Sequence, residues 1–315
     1  MNSDSKNGAE FAVDLGVPLC GLRLKNPVIA ASGTFGFGRE YAEYTDLNAL
    51  GGVSVKGLTL LPRRGNRPPR IAETSYGVLN SVGLQNPGAE AFVRDELPFL
   101  RGFPGLVVIA NAAGGTIEEY TELVRLLSDA GVDAIELNVS CPNVKEGGMS
   151  FGASERALSE VVSAVRPVCK KPLIVKLTPN VTDIRALARA AEDAGADALS
   201  LINTLLGMKI DIESRRPVLR NNTGGLSGPA VMPVAVRMTW EAASSVKIPV
   251  IGMGGIASGD DAIEFMLAGA CAVMVGTANF VGPDVCSRVV SGIEAYCKRF
   301  SHSSPSEFVG GLIPW

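Results

Sequence analysis

Asp133-Ala-Ile-Glu-Leu-Asn138-Val-Ser-Cys141-Pro-Asn143 starts as an apolar run and ends, from Asn138, in two carboxamides, a hydroxyl and a thiol. Residues 133–138 read as a buried β-strand. A core strand has no structural use for that polar set, because each buried amide must find partners or cost a few kcal/mol. Pro142 stops the ladder and turns the chain out of the sheet. Cys141 is therefore presented at a strand's carboxyl end, between Asn138 and Asn143, where α/β proteins carry their chemistry.

The same pattern recurs on both sides of this stretch. From Asn26 onward, short apolar strands are expected at 27–31, 53–56, 106–110, 134–138, 173–177, 198–202, 250–252 and 272–275. Helical patterns lie between them. One spans 116–130, with Tyr120, Leu123, Val124 and Leu127 on one face; 154–169 opens at Ser154, and 182–194 closes at Gly195. The others span 229–246, 258–268 and 285–300. Eight strands with intervening helices in one chain of 315 residues indicate a (β/α)8 TIM barrel, and right-handed crossovers favour closure. The rival is an open doubly wound sheet, since periodicity alone does not show closure. Ahead of the first strand, 13–24 alternates around Gly16-Val-Pro18 and Gly21 and reads as an N-terminal β-hairpin at the barrel's bottom. The connections 58–87 and 205–228 are far longer than ordinary βα loops and carry apolar residues at intervals, so they read as ordered lids at the C-terminal mouth. Residues 1–12 are expected to be a flexible polar tail without the apolar core of a signal peptide, 13–300 a single barrel domain, and 301–315 a C-terminal tail.

Composition excludes several functions. A net charge of −3 gives no electrostatic case for nucleic acid or an anionic membrane. The longest uncharged stretch, 265–281, is divided by Gly269, Gly276, Thr277 and Asn279 and reads as a helix end followed by a strand. Cys20, Cys141, Cys169, Cys271, Cys286 and Cys297 form no C-x-x-C pair, which argues against zinc, or an iron–sulfur cluster held by this chain alone, and for reduced thiols in the cytosol. The single histidine, His302, lies in the polar C-terminal segment. A Ser-His-Asp triad, an H-E-x-x-H zinc site and a histidine base are excluded unless that segment folds back.

Almost every strand ends in polar or glycine-rich sequence: Ser32-Gly33, Lys56-Gly57, Asn111, Asn138 with Cys141, Lys176, Asn203-Thr204, Gly254-Gly255 and Gly276-Thr277. Each alone is an ordinary solvated loop residue. In a barrel all eight ends face one mouth, and two lysines and three carboxamides aimed at one cavity indicate a ligand. The two glycine pairs match the barrel phosphate site, with tight turns as the plainer alternative. Gly252-Met-Gly254-Gly-Ile-Ala257 also fits a dinucleotide pattern, but it follows the second-last strand, so a mononucleotide suits better than NAD. Asn80-Ser-Val-Gly-Leu-Gln-Asn-Pro-Gly88 offers amides suited to a flat ring of carbonyls and N–H groups, such as a pyrimidine; against that, Asn-Pro-Gly is a common turn. The run Arg63-Arg64-Gly-Asn-Arg67-Pro-Pro-Arg70 reads first as a solvated loop surface, with anion binding or partner docking as the lesser reading.

Together these strand ends resemble the class 1 dihydroorotate dehydrogenases, over about 13–300. The specific pieces are Val55-Lys-Gly-Leu-Thr59, the Asn80 to Gly88 stretch, the Asn138 to Asn143 stretch, Val175-Lys-Leu-Thr-Pro179, Ile202-Asn-Thr204 and the glycine pairs. Asn-Val-Ser-Cys-Pro-Asn-Val-Lys, with Gly147-Gly148, Phe151-Gly152 and Thr204, is similar to the type B catalytic subunit. The resemblance implies FMN held by Ser32, Lys56, Gly57, Asn111, Asn138, Lys176, Ile202, Gly228, Gly254, Gly255, Gly276 and Thr277. It implies substrate contacts from Lys56, Asn80, Ser81, Val82, Gly83, Leu84, Asn138, Asn143, Asn203 and Thr204, with Cys141 as the base and no metal.

The implied reaction oxidises (S)-dihydroorotate to orotate in cytoplasmic de novo pyrimidine (UMP) synthesis. A hydride leaves C6 for FMN N5, and a proton leaves C5 for Cys141. A thiol with a free pKa near about 8.5 can serve as that base, and Lys176 would stabilise the reduced flavin near its N1–C2 edge. This sequence offers no NAD fold, so electrons bound for NAD+ must leave through another protein. The type B resemblance implies an iron–sulfur flavoprotein carrying FAD and a [2Fe–2S] centre, joined to a homodimer core in a heterotetramer. The nearest rival is the barrel of dihydropyrimidine dehydrogenase, which Lys176-Leu-Thr-Pro-Asn-Val-Thr-Asp-Ile184 resembles; Asn143 and the Asn80 loop favour orotate. A rival of another class is a non-redox barrel that binds a phosphorylated ligand.

Overall fold

The computed structural model describes residues 12–140 and 150–315. Eight strands close a parallel barrel in chain order. They are β1 (Val28–Ala30), β2 (Gly52–Ser54), β3 (Val107–Ala112), β4 (Ala134–Asn138), β5 (Leu173–Lys176), β6 (Ala198–Leu201), β7 (Val250–Met253) and β8 (Ala272–Val275), with β8 pairing back to β1. The open-sheet alternative is thereby removed. In β4 every side chain but the last is buried, as a strand covered on both faces requires. Ile135 and Leu137 pack outward against the helices, while Ala134 joins the inner core. The two-residue period therefore also sends Glu136 and Asn138 inward.

The main helices are α1 (Ile117–Asp129), α2 (Glu155–Val165), α3 (Ile184–Asp193), α4 (Met232–Ala243), α5 (Gly259–Leu267) and α6 (Val285–Phe300). Side chains of Thr116, Ser154, Asp183 and Ser258 cap four of them, and each accepts a first-turn backbone N–H. A helical stretch without a legible period follows the first lid: Ala89–Ala91, a π turn over Phe92–Glu96, then Leu97–Leu100. Pro98 interrupts the helical signal there, and the wide turn accompanies its missing N–H.

The hairpin pairs Val17–Leu19 with Leu22–Leu24. Val17, Leu19 and Leu24 are buried in one inner cluster with Ile29, Ile109, Ile174, Ile251 and Met274, so it stops the barrel from below. Both long connections are ordered and join each other. Leu205–Gly207, Gly224–Ser227, Gly77–Asn80 and Ile71–Thr74 form, in that order, one four-stranded antiparallel sheet. The segment 301–315, set apart as a tail on its polar composition, is packed at Phe308, which is buried and meets Tyr296 edge-on at 5.0 Å. Ser303 O accepts from Asp14 N at 2.9 Å, tying the two ends of the described chain. Among the described residues, no helix is long and apolar enough to cross a membrane.

Candidate active site

The centre of the upper barrel is a fully buried carboxylate, Glu136. It accepts from Ser54 Oγ at 2.7 Å, Ser200 Oγ at 2.7 Å and Asn111 Nδ2 at 2.5 Å, and lies 3.9 Å from Lys176 Nζ. Its charge is thus met by three donors and one cation, the condition under which a buried ion is tolerated. Lys176 Nζ also donates to Ser32 Oγ at 3.2 Å. From this hub a chain of amides leads upward. Asn138 Nδ2 donates to Asn111 Oδ1 at 3.4 Å, and Asn203 Nδ2 donates to Asn138 Oδ1 at 3.3 Å and to Ser140 Oγ at 2.8 Å. Tyr120 OH holds the Asn138 carbonyl at 2.6 Å. Each carboxamide is fixed by its neighbour, so its remaining groups are pre-oriented.

These side chains open into one cavity at the mouth. The barrel contributes Ser32, Lys56, Gly57, Asn111, Asn138, Lys176, Ile202, Asn203, Thr204, Gly254, Gly255, Gly276 and Thr277 to its wall. The two lid segments contribute Asn80, Val82, Gly83, Leu84, Leu226, Ser227 and Gly228. The first lid reaches inward because Asn66 N donates to Val82 O and Arg63 exchanges two backbone bonds with Asn86. Burial pushes the Lys56 ammonium below the ordinary lysine range, and the charge of Arg70 adds to this. Among the described residues Lys56 has no ion-pair partner, so a half-buried cation faces the cavity.

On the opposite wall, Gly254 and Gly255 have φ of +130° and +89°. A Cβ there would stand 2.8 Å from Ala235 Cβ and 2.6 Å from Met232 Cβ respectively. Only glycine allows this turn. Among the described residues no acceptor meets the backbone N–H of Gly254, Gly255, Gly276 or Thr277. These four amides, two ahead of α5 and two at the head of a 3-10 turn over Thr277–Phe280, are donors that could meet an anion. A Cβ on Gly276 would meet nothing nearer than Ala31 Cβ at 3.8 Å, so the space beside that glycine is open. The wall as a whole suits a phosphorylated planar heterocycle: amides for the phosphate, Lys176 and carboxamides for ring carbonyls and N–H groups, and Met253 and Met274 as apolar surface.

Most expected site residues are thus brought together. Ser81 is the exception among those described: it does not line the cavity, and its Oγ is buried without a partner. Cys141 and Asn143 lie outside the described residues. His302 is held away from the mouth, with Nδ1 3.2 Å from Glu307 Oε2. The five described thiols, Cys20, Cys169, Cys271, Cys286 and Cys297, are all pushed above the ordinary thiol range by burial, and none lines the cavity. Sequence reasoning missed Glu136, Ser54 and Ser200. The signal was a polar residue at an inward position within three mostly apolar strands. It also missed Ser227, whose Oγ accepts from Thr277 Oγ1 at 2.9 Å and links lid to cradle.

Comparison with known proteins decides the family. The family model described as dihydroorotate dehydrogenase matches residues 14–297. The chain belongs to the dihydroorotate dehydrogenase family. It is 57% identical, over 95% of its length and 99% of the other protein, to the "Dihydroorotate dehydrogenase B (NAD(+)), catalytic subunit" of Thermoanaerobacter pseudethanolicus. The protein of that name from Alkaliphilus oremlandii is 56% identical over the same shares. That from Geotalea uraniireducens is 54% identical over 95% of this chain and 98% of its own. The cavity of this dihydroorotate dehydrogenase family member is therefore the place to derive its chemistry.

Proposed function

We propose that this chain is the catalytic subunit of an NAD+-linked type B dihydroorotate dehydrogenase, oxidising (S)-dihydroorotate to orotate in cytoplasmic pyrimidine synthesis. The observation that carries the reading is one cavity whose wall holds Lys56, Asn80, Asn138, Asn203 and Thr204 together with Lys176 and both glycine pairs. The relatives' shared name supports it over nearly the full chain. FMN is the group the wall fits best. Its phosphate would sit on the amides of Gly254, Gly255, Gly276 and Thr277, and Lys176, Asn111 and Ser32 would meet its ring. When bound, FMN supplies the hydride acceptor.

The chain's own residues do the rest. Lys56 is half-buried and has no ion-pair partner among the described residues, so it is ready to meet the substrate carboxylate or a ring carbonyl. Asn138 and Asn203 already satisfy one another and would orient the pyrimidine by their remaining groups. The paired lid strands Gly77–Asn80 and Gly224–Ser227 would cover the ring and exclude water. Removing the C5 proton needs a base. Among the described residues no histidine and no thiol stands at the cavity, which supports Cys141 in that role. Hydride and proton then leave two adjacent carbons. The printed words "catalytic subunit" belong to the relatives. For this chain we take them to mean an iron–sulfur flavoprotein partner with FAD and a [2Fe–2S] centre, on a homodimer core in a heterotetramer.

Cys141→Ala tests the assignment. The variant should keep its flavin absorbance and lose about 10² or more in turnover, while Cys169→Ala, at a buried thiol remote from the cavity, keeps most of it. Equal activity of the two variants would remove Cys141 from the mechanism.

A further inference from the structure

The two lid segments carry a charge opposite to that of the chain. Between residues 58 and 87 and between 205 and 228 there are eight lysines and arginines against three acids, in a protein whose net charge is −3. Four of the cations fall within eight residues, Arg63, Arg64, Arg67 and Arg70. This segment is built into the lid. Gly65 has φ +72°, with Val82 O where a Cβ would stand, and Asn66 Nδ2 donates to Ser81 O at 2.9 Å. Arg70 donates to Gln85 Oε1 and to Asn66 O. The basic run is therefore sewn to the segment after the Gly77–Asn80 strand, which supplies Val82, Gly83 and Leu84 to the cavity wall.

Two of these arginines have structural partners: Arg63 lies 3.7 Å from Glu119, and Arg70 is bound as described. Arg64 and Arg67 are exposed and have no ion pair among the described residues. The second lid continues the patch, since Arg220 N donates to Pro69 O and Lys209 Nζ to Glu73 O. Arg70 is near enough for its charge to act on Lys56, so the run that carries the exposed Arg64 and Arg67 also reaches the cation of the cavity. Charges unpaired in the fold lower its stability slightly, yet such an arrangement raises the local concentration of an anion at the mouth.

We propose that the basic lid is an electrostatic funnel for a small carboxylate, with Arg64 and Arg67 as its outer charges. This rests on the reading above that the substrate is dihydroorotate, a monocarboxylate. The funnel acts on encounter, so it changes the rate of association and not the chemical step.

The test follows orotate association with the native holoenzyme by rapid-mixing flavin absorbance. It compares wild type, R64E/R67E and R64Q/R67Q at about 0.01 M and about 1 M salt, where the Debye length is about 30 Å and about 3 Å. The reversal variant should associate about tenfold more slowly at low salt, the neutral variant should fall between, and all three should converge at high salt. Dissociation rates and turnover at saturating substrate should not move. Equal association at low salt, or a loss that persists at high salt, would overturn the funnel. Unchanged association with lost NAD+-linked turnover would also overturn it, by giving these arginines to the partner subunit. Should orotate leave the wild-type flavin spectrum unperturbed, the substrate reading fails first and takes the funnel with it.

Discussion

At the lower end of the barrel the strands close over Val17, Leu19 and Leu24, and at the upper end over Glu136, Lys176 and Asn111. Both ends are fully buried, yet they hold together in opposite ways. Below, each leucine removes apolar surface from water, worth about 1.5–3 kcal/mol apiece, and no polar group needs a partner. Above, a carboxylate and an ammonium are desolvated at a cost that only good geometry offsets. The lower end tolerates approximate shapes. The upper end works only if every donor is in place, and that constraint holds Asn111, Asn138 and Lys176 still for a ligand.

The largest expected effect breaks the upper end. Lys176→Met leaves Glu136 buried with hydroxyl and amide donors but no cation. Unfolding by urea should show a loss of about 3 kcal/mol or more, with flavin and turnover lost too. Lys176→Met combined with Glu136→Gln should recover most of the stability and none of the turnover, because the pair then carries no unmatched charge. A single variant as stable as wild type would mean that the hub does not depend on its cation.

A cut at the lower end should do the reverse. Leu24 is fully buried, and Leu24→Ala should cost about 2–4 kcal/mol in urea unfolding through lost transfer energy and a cavity. Turnover per folded molecule should stay near wild type, since Leu24 does not line the cavity and only Ala31, Met253 and Met274 of its cluster do. A fall in turnover beyond the fall in folded fraction would show that the two ends are coupled through the strands.

The barrel was legible because its signals are local. Apolar runs of strand length, Ser or Thr before a helix and Gly after it need no tertiary knowledge, and 134–138 and 272–275 coincide with β4 and β8. The mouth was legible because strand ends converge in any closed barrel. What escaped depends on which way a side chain points. Glu136 reads as one charge in an apolar run until the inward period is applied to β4, and Ser54 and Ser200 then follow from its two oxygens. Ser227 escaped because it gains meaning only when Gly224–Ser227 pairs with Gly77–Asn80, a contact between segments nearly 150 residues apart. The helical stretch 89–100 was hidden by Pro98. Sequence distance and side-chain direction, not composition, set the limit.

The smallest expected effect separates the fold of the cradle from its use. Gly254 sits at φ +130° with Ala235 Cβ 2.8 Å from where a methyl would be. Gly254→Ala should thus destabilise the flavin-free protein by about 1–3 kcal/mol, and any flavin loss would be confounded. Gly276 has no such neighbour; its methyl would meet Ala31 Cβ at an ordinary 3.8 Å and otherwise enter the cavity. Gly276→Ala should leave the flavin-free protein's unfolding within about 0.5 kcal/mol of wild type, as substitutions without a clash do. Flavin affinity, read by fluorescence titration, should fall about tenfold, which is about 1.4 kcal/mol. Unchanged affinity would mean that the phosphate is held elsewhere on the rim, and the free amides of Gly254 and Gly255 would then have to carry it without the second glycine pair.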